Sequence, residues 1–529
     1  MFVVKNLSYK IDHITIFKDL SFSINDNEKI AIIGNNGVGK SILLKLLIGE
    51  IRPDFGEIIG SNSIAYFSQK FNSLNFNTVA DVFNLEKEVI ALSHIENGVG
   101  TIEDYENLDD NWSCIDYINK KMDFFNIKFD LTRKFNTLSG GEKVKLILSS
   151  IVDEDKGCLI FDEPTNNMDC ESKEFFYRFI KNWKKTLILV SHDRELLNLV
   201  NKIAEIRRFN SDEVGRKIFF YGGNFDYYLE QKKIENENLQ KNFQNSQKAV
   251  KQLKSELQSK TDEINKKKRR GEKVFIENCK APKVAAKAII SSADAKVNKS
   301  VKESKNKIDS LILKKQKIQE KFESSNSIYF NFGKNNFSNK ILLEINDLNF
   351  SYDENRNVIN NFSILLHSGD RIAIDGKNGC GKTTLLKIIN GKIKNYIGEV
   401  RINTDKIAYL DQEYNFLDND KTILENIMKY SNMKEKDCRD ILAKFLFRTD
   451  SVYKKVKNLS GGEKTRVALS MIFSKEPELI LLDEPTNNMD LNSIKVLEDI
   501  LKQYSGGLIV VSHDKNFKKN IFVEEFIRL

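Results

Sequence analysis

The 529-residue sequence lacks apolar runs long enough to cross a membrane. Stretches such as Leu187–Val190 and Leu508–Val511 are short, whereas a spanning helix needs about 20 apolar residues. The start, Met1–Lys5, has no charged segment followed by an apolar one, so no export signal is expected. These absences argue against an integral membrane protein and predict a soluble, cytoplasmic one.

Cysteine and proline are scarce, with six and five residues respectively. No two cysteines form a Cys-x-x-Cys pair, and scattered cysteines do not build a zinc site. Free thiols in a reducing cytoplasm are therefore expected. At about 100–200 residues per domain, the length predicts three to five structural units.

The net charge of +8 is unevenly distributed. The segment from Gln231 to Glu323 holds 25 Lys and Arg against 12 Asp and Glu, a net of +13, and the rest of the chain is net −5. A charge run is usually a solvated face. Concentrated between otherwise acidic regions, however, this basic excess suits a polyanionic partner.

Four motifs occur twice in the same order, which indicates an internal duplication. The pairs are Gly34–Ser41 and Gly376–Thr383, Leu138–Lys143 and Leu459–Lys464, Asp162–Asp169 and Asp483–Asp490, and Ser191–Asp193 and Ser512–Asp514. The sequence therefore predicts two related α/β domains, residues 1–225 and 341–529, joined by a helical linker, residues 226–340. The interval from Gln69 to Ser139 exceeds that from Gln412 to Ser460, which predicts an insertion in the first copy.

Each glycine-rich motif stands between an apolar strand and a helix, the context that a phosphate-binding P-loop requires. Its glycines let backbone N–H groups converge on phosphate oxygens, and the helix N-terminus adds a favourable dipole. Lys40 and Lys382 are expected to reach the β- and γ-phosphates, and the hydroxyls of Ser41 and Thr383 to bind Mg²⁺.

An Asp-Glu pair follows a predicted buried strand in each copy, Cys158–Phe161 in the first and Leu479–Leu482 in the second. Asp162 and Asp483 are expected to bind Mg²⁺, and Glu163 and Glu484 to polarise the attacking water. The alternative, that all four are ordinary surface acids, is disfavoured by the Asp-Glu-Pro-Thr context. Both glutamates are present, so both sites are predicted to be active.

The Leu-Ser-Gly-Gly-Glu motifs allow two interpretations. Ser139 with Glu142, and Ser460 with Glu463, form Ser-x-x-Glu capping boxes, which start many helices that bind no ligand. Two adjacent glycines also expose backbone N–H groups at a helix start, where anions bind. We expect both to hold, with the cap building a helix whose tip meets a phosphate.

This set of motifs resembles the Walker A, Walker B, signature, Q-loop and H-loop elements of ATP-binding cassette proteins. The resemblance implies an ATPase in which two cassettes of one monomeric chain close head to tail. Lys40 and Glu163 would then face Ser460 across one ATP, and Lys382 and Glu484 would face Ser139 across the other. His192 and His513 match the switch histidines, Gln69 and Gln412 the Q-loops that also bind Mg²⁺, and Tyr9 and Tyr352 the aromatics that stack on adenine.

The expected ATP contacts comprise the P-loops, the signature residues, the Q-loop glutamines and the two tyrosines. They are Tyr9, Gly34, Asn35, Asn36, Gly37, Val38, Gly39, Lys40, Ser41, Gln69, Ser139, Gly140, Gly141, Glu142, Tyr352, Gly376, Lys377, Asn378, Gly379, Cys380, Gly381, Lys382, Thr383, Thr384, Gln412, Ser460, Gly461, Gly462 and Glu463.

The linker carries apolar residues at a seven-residue spacing, Phe243, Val250, Leu257 and Ile264, and a similar pattern from Val301 to Phe322. This repeat predicts two packed helices, the first from about 226 to 268. The basic run Lys266, Lys267, Lys268, Arg269 and Arg270 would then lie at the irregular tip of an antiparallel hairpin. Few aromatics accompany it, which favours structured RNA recognised by shape and charge.

Two fused cassettes with a charged helical linker resemble the ABC-F family along the whole chain, and Tyr221–Tyr227 resembles that family's exit from the first cassette. The resemblance implies binding to the ribosome, with the linker directed toward the peptidyl-transferase centre and contacts to rRNA and the P-site tRNA. The family includes translation factors and antibiotic-resistance proteins. The long linker, and a chain that ends 16 residues after His513, favour the resistance type.

Three alternatives stay open. A housekeeping translation factor would share every motif. An ATPase subunit of a membrane transporter would share the chemistry but offers no role for the basic hairpin. A DNA-repair or chromosome ATPase is disfavoured, because the linker is too short for long coiled-coil arms and zinc-binding cysteine pairs are absent.

Overall fold

The computed structural model describes residues 1–12, 14–60, 63–68, 76–152, 157–166, 168–208, 215–277, 340–353, 356–377, 379–411, 414, 416–447, 449–459, 461–487 and 489–529. The chain divides into two compact units, one comprising Met1–Asp226 with Ile328–Leu529, the other Tyr227–Ser327. The predicted second linker helix falls outside the described residues. Within those residues, no helix is long and apolar enough to cross a membrane.

The first copy of the motifs lies on a mixed sheet that has nine strands among the described residues. They are β1 Phe2–Ile11, β2 Ile14–Ile24, β3 Lys29–Ile33, β4 Phe55–Ile59, β5 Ile64–Phe67, β6 Cys158–Asp162, β7 Thr186–Val190, β8 Lys202–Arg208 and β9 Arg216–Gly222. Their order is β4-β1-β2-β9-β8-β3-β7-β6-β5. Strands β8, β3, β7, β6 and β5 pair in parallel. Their carboxyl ends therefore meet at one edge, where ligands bind in such sheets.

The helices of the first cassette begin where the sequence supplies caps. They are α1 Lys40–Leu47, α2 Glu86–Glu96, α3 Ile102–Leu108, α4 Cys114–Phe124, α5 Gly140–Ile151, α6 Cys170–Asn182 and α7 Arg194–Leu197. Side-chain oxygens of Thr101, Ser139, Asp169 and Asp193 accept hydrogen bonds from the first turns of α3, α5, α6 and α7. Such caps stabilise a helix by about 1 kcal/mol each.

A long helix, α8 Phe225–Glu277, follows the first cassette. Its 53 residues correspond to about 80 Å at 1.5 Å per residue. The predicted end near Lys268 and the irregular tip at the basic run are wrong, because α8 continues through Lys266–Arg270 and Gly271. A glycine inside a helix costs about 1 kcal/mol, and the neighbouring Lys, Arg and Glu residues are good helix formers that offset it.

The second copy is built on two sheets. Its strands are β10 Ile341–Asp353, β11 Arg356–His367, β12 Arg371–Asp375, β13 Ile397–Ile402, β14 Ile407–Leu410, β15 Leu479–Asp483, β16 Gly507–Val511 and β17 Glu525–Arg528. Strands β11-β10-β13 form an antiparallel sheet, and β14-β15-β16-β12-β17 a parallel one. Its helices are α9 Lys382–Ile389, α10 Ile423–Ser431, α11 Glu435–Lys444, α12 Gly461–Ser474, α13 Leu491–Gln503 and α14 Lys515–Asn520.

The two copies differ where the sequence predicts an insertion. Three helices, α2 to α4, lie between β5 and α5 in the first cassette, and two, α10 and α11, lie at the corresponding place in the second, counting described residues alone. The described strands of the first copy also form one mixed sheet, whereas those of the second form two. The central parallel strands are alike in both copies: β6, β7, β15 and β16 are buried throughout. These strands hold the carboxyl-edge loops rigidly in place.

Candidate active site

Each P-loop turns between a buried strand and a helix, β3 into α1 and β12 into α9. Gly39 and Gly381, the residues before the helices, have φ angles of +99° and +106°. A Cβ at Gly39 would lie 2.9 Å from Nη1 of Arg216, and one at Gly381 would lie 2.7 Å from Cγ1 of Val358. Both the left-handed backbone and the crowding therefore require glycine.

The P-loop lysines are buried and fold back over their own loops. Lys40 Nζ donates to the carbonyl of Gly34 at 2.8 Å, and Lys382 Nζ donates to the carbonyl of Gly376 at 2.7 Å. Burial lowers the pKa of Lys40, opposed by the charges of Glu163 and other nearby carboxylates. The ammonium groups thus lie where a phosphate could replace the carbonyl as partner.

The strand-end aspartates meet the hydroxyls predicted to share Mg²⁺ with them. Ser41 hydrogen-bonds to Asp162, and Thr383 to Asp483, and burial raises the pKa of both carboxyls. Oδ1 of each aspartate is buried, without a hydrogen-bond partner in the described part of the chain. An unsatisfied carboxylate oxygen beside a hydroxyl is a donor set that fits Mg²⁺.

The two glutamates after these aspartates have a backbone conformation that the sequence does not reveal. Glu163 and Glu484 have φ angles of +49° and +47°. Such a conformation is uncommon for residues other than glycine and often marks functional sites. Their N–H groups donate to the carbonyls of Val190 and Val511 at 2.8 and 2.9 Å, which hold the strained turns in place.

Each glutamate carboxyl faces the switch histidine of its own cassette. His192 Nε2 lies 3.3 Å from Glu163 Oε1, and His513 Nε2 lies 3.4 Å from Glu484 Oε1. Burial raises the pKa of both glutamates to about 7. It lowers the pKa of His192, and that of His513 to about 4. The histidines are therefore neutral near pH 7 and can donate one N–H each.

The signature motif of the first cassette caps its helix as predicted. Glu142 N donates to Ser139 Oγ at 3.3 Å, and Ser139 N donates to Glu142 Oε2 at 2.7 Å. A Cβ on Gly140 would lie 3.1 Å from Oδ2 of Asp169. The negative charge of that aspartate acts in turn on His513 of the other cassette.

Contacts between the cassettes join each P-loop to the segment after the opposite Asp-Glu-Pro-Thr motif. Asn36 N donates to Asp490 Oδ2 at 3.2 Å, and Asn492 Nδ2 donates to Asn35 Oδ1 at 2.8 Å. On the other side, Lys377 Nζ lies 3.2 Å from Glu171 Oε2. No contact of Asp490, Asn492 or Glu171 is predicted from the sequence, although all three lie at the end of the repeated Asn-Asn-Met-Asp sequence or just after it.

A cavity of about 480 Å³ lies between the cassettes. It is lined by the first cassette's catalytic candidates and by residues of the second, including Lys40, Asp162, Glu163, His192, Gly461 and Met489. Ser460, Gln69, Gln412 and Asn378 lie outside the described residues. Gly461, the first residue of α12, lines the same cavity as the first P-loop. The start of the second cassette's signature helix therefore lies beside the first P-loop, as in the head-to-tail arrangement.

The contacts described above involve neither the predicted adenine-stacking tyrosines nor the predicted RNA-binding residues. Tyr9 packs against the core of the first cassette, and Tyr352 is 62% exposed, its hydroxyl hydrogen-bonded to Thr384 Oγ1 at 2.9 Å. Stacking of either on adenine stays a prediction. Lys266–Arg270 lie on α8, and their side chains fall outside what the structure describes.

Comparisons with known proteins agree with this geometry. The ABC transporter family matches residues 17–166 and 359–487. ATP-binding protein Uup of Buchnera aphidicola (subsp. Acyrthosiphon pisum) is 31% identical over 98% of this chain and 78% of that protein. ABC transporter F family member 2 of Arabidopsis thaliana is 27% identical over 98% and 75%.

Solved structures show the same fold at lower identity. A structure of RNase-L Inhibitor covers 99% of this chain, and 87% of that chain is covered, with a TM-score of 0.56 and 18% identity. The complex of an archaeal ribosomal stalk protein and the ribosome recycling factor aABCE1 has a TM-score of 0.54 and 17% identity, with coverage of 98% and 86%.

Fold and sites together define a twin-cassette ATPase with two P-loop domains, each of the ABC type. Such domains bind ATP with Mg²⁺ and hydrolyse it. The chain belongs to the ABC family and, within it, to the ABC-F proteins.

Proposed function

We propose that ATP is hydrolysed at two composite sites, each completed by the opposite cassette. Lys40 and Lys382 bind the phosphates, and Glu163 and Glu484 orient the attacking water. His192 and His513 donate to the γ-phosphate. The cavity that contains both Lys40 and Gly461 supports this arrangement, because it brings the first P-loop beside the second signature helix.

Ser41 with Asp162, and Thr383 with Asp483, would hold Mg²⁺, which neutralises developing phosphate charge when bound. The chain's own part is to keep these oxygens at the carboxyl edge of a rigid parallel sheet. The strained turns at Glu163 and Glu484 direct each carboxyl away from the strand and toward its histidine. Because each proposed site includes residues of both cassettes, ATP turnover should require the two cassettes to be in contact.

We further propose that the ATP-bound, closed protein binds the ribosome in the cytoplasm. The observation that carries this proposal is the basic segment Gln231–Glu323, net +13, which begins in α8 and interrupts a chain that is otherwise net −5. Phosphate contacts dominate the affinity of such segments for nucleic acid. The chain's membership of the ABC-F proteins supports the same partner. The resemblance to that family implies binding to the ribosome through rRNA and the P-site tRNA.

The test is co-sedimentation with ribosomes. A Glu163→Gln/Glu484→Gln variant should stay closed on ATP and sediment with ribosomes in ATP, but not in ADP. A failure to associate in ATP would contradict ribosome binding. Replacing Lys266–Arg270 by glutamine should weaken the association, whereas five glutamines at Lys394, Lys434, Lys436, Lys454 and Lys519, exposed on the second cassette, should not.

The cellular role we propose is ribosome protection, in which the linker reaches toward the peptidyl-transferase centre and gives antibiotic resistance. Expression in a susceptible bacterium should raise its tolerance to at least one antibiotic acting at that centre. Unchanged susceptibility across a panel of such drugs would favour a housekeeping translation factor. A transporter ATPase, in contrast, should keep membrane association and transport after deletion of residues 240–320.

A further inference from the structure

The two switch histidines have different surroundings, although their motifs are identical. His513 Nδ1 lies 3.4 Å from Sγ of Cys170, a residue of the other cassette. His192 Nδ1 is buried and has no hydrogen-bond partner among the described residues. Instead, Nε2 of His192 lies 3.1 Å from Nζ of Lys40.

The difference originates in one position of the repeat. Cys170 is the first residue of α6, directly after Asp169, and its counterpart at the start of α13 is Leu491, which has no polar group. Asp169 holds the start of α6 by accepting from Ser172 N at 2.9 Å. The neighbouring Glu171 contacts Lys377 of the second P-loop. The cap at Asp169 and the contact between Glu171 and Lys377 thus hold the start of α6 in a position where the Cys170 thiol lies beside His513.

The hydrogen bond at one ring nitrogen decides which nitrogen of a neutral histidine carries the proton. Burial raises the pKa of Cys170, so the thiol stays protonated near neutral pH and can donate. His513 then accepts at Nδ1 and carries its proton on Nε2, which faces Glu484. No such hydrogen bond at Nδ1 fixes the tautomer of His192 in the described part of the chain, and its Nε2 lies near both Lys40 Nζ at 3.1 Å and Glu163 Oε1 at 3.3 Å.

We propose that Cys170 is a positioning residue for the composite site of the second P-loop: its thiol fixes the ring and tautomer of His513 so that Nε2–H points at the γ-phosphate. The first P-loop's site has no such device, so the two sites are chemically unequal. The proposal rests on the roles assigned above to His513 and Glu484. A residue of the first cassette, Cys170, would thus orient the histidine of the second cassette, His513.

Single-site backgrounds test the proposal. In a Glu163→Gln background, where the second site carries turnover, Cys170→Ala should lower kcat about threefold to tenfold, the range expected for losing one hydrogen bond. The KM for ATP should change less than twofold. Cys170→Ser, which keeps a donor, should restore most of kcat. In a Glu484→Gln background, the same Cys170→Ala change should lower kcat less than twofold.

A structural defect would slow both backgrounds equally and would not be rescued by serine, and either result overturns the proposal. Nitrogen NMR of protein labelled at histidine gives a readout without turnover. His513, assigned from a His513→Gln variant, should show a protonated Nε2 in the parent and lose that preference in Cys170→Ala. An unchanged tautomer would refute the proposal.

The proposed function and this inference can fail separately. If the Glu163→Gln/Glu484→Gln variant still hydrolyses ATP at the parent rate, the catalytic roles are wrong. If that variant is inactive and Cys170→Ala has no effect in the Glu163→Gln background, only the role of Cys170 is wrong.

Discussion

A buried ion pair joins the cassettes and offers a quantitative test of their contact. Arg194, in α7 directly after the first switch motif, places Nη1 2.8 Å from Oε1 of Glu498 in α13. The two side chains are 14% and 5% exposed. Asn520 Nδ2 also donates to Glu498 Oε1, at 3.0 Å. Both charges are thus largely removed from water and depend on one another for compensation.

Replacing one partner by methionine should leave the other charge buried and uncompensated, which costs about 3–5 kcal/mol. At about 1.4 kcal/mol per tenfold, kcat/KM for ATP should fall by about 100-fold or more if closure is required for turnover. Arg194→Met should be worse than Glu498→Met, because Glu498 is the more buried. The double methionine variant should recover to within about tenfold of the parent, since replacing a whole buried pair is often nearly neutral.

The assay is steady-state ATP hydrolysis by the parent, both single variants and the double variant. The control is the contact of Lys515, the counterpart of Arg194, with Glu174 on the other side; the two groups are 3.2 Å apart and their side chains are 56% and 54% exposed. Lys515→Met should lower kcat/KM less than about fivefold, since exposed pairs contribute about 0–1 kcal/mol. A double variant no better than the worse single variant would show that the two charges do not compensate each other. An equal loss from Lys515→Met would show that burial of the Arg194–Glu498 pair is not the cause.

Three further predictions follow from the site. The pKa of Glu163 is raised from its ordinary value of 4.5 to about 7, so the folded protein loses stability as pH rises from about 4.5 through 7. The nucleotide-free Glu163→Gln variant should therefore have a higher Tm than the parent at pH 8 and the same Tm near pH 4.5. An equal Tm for both proteins at both pH values would contradict this. Gly39 has a φ of +99°, which strains an alanine, so Gly39→Ala should abolish nucleotide binding at the first P-loop or lower the free energy of unfolding by about 1–3 kcal/mol. Nucleotide titration and thermal unfolding check the two effects, and parent-like values in both would contradict the prediction. Asp162→Asn in a Glu484→Gln background should raise the Mg²⁺ concentration for half-maximal turnover at least tenfold, and an unchanged requirement would exclude Asp162 as a ligand.

Local patterns were sufficient to predict the elements around each site. The P-loops, the strands ending at Asp162 and Asp483 and the capping box at Ser139 follow from residue spacing, because each depends on neighbours within a few positions. The linker shows the limit of this reasoning. Gly271 and the basic run suggested a helix end, but propensity at a few positions does not outweigh a long run of helix formers.

Two complete cassettes and the basic segment between them can be recognised without a structure, because repeated motifs reveal the cassettes and local charge reveals the segment. The residues of one cassette that contact the other are known only from the folded structure. Asp490 beside Asn36, Glu498 beside Arg194 and Cys170 beside His513 are each more than 300 positions apart, and no periodicity in the chain encodes such distances. The strained turns at Glu163 and Glu484 likewise depend on the carbonyls of neighbouring strands, which only folding brings within hydrogen-bonding distance.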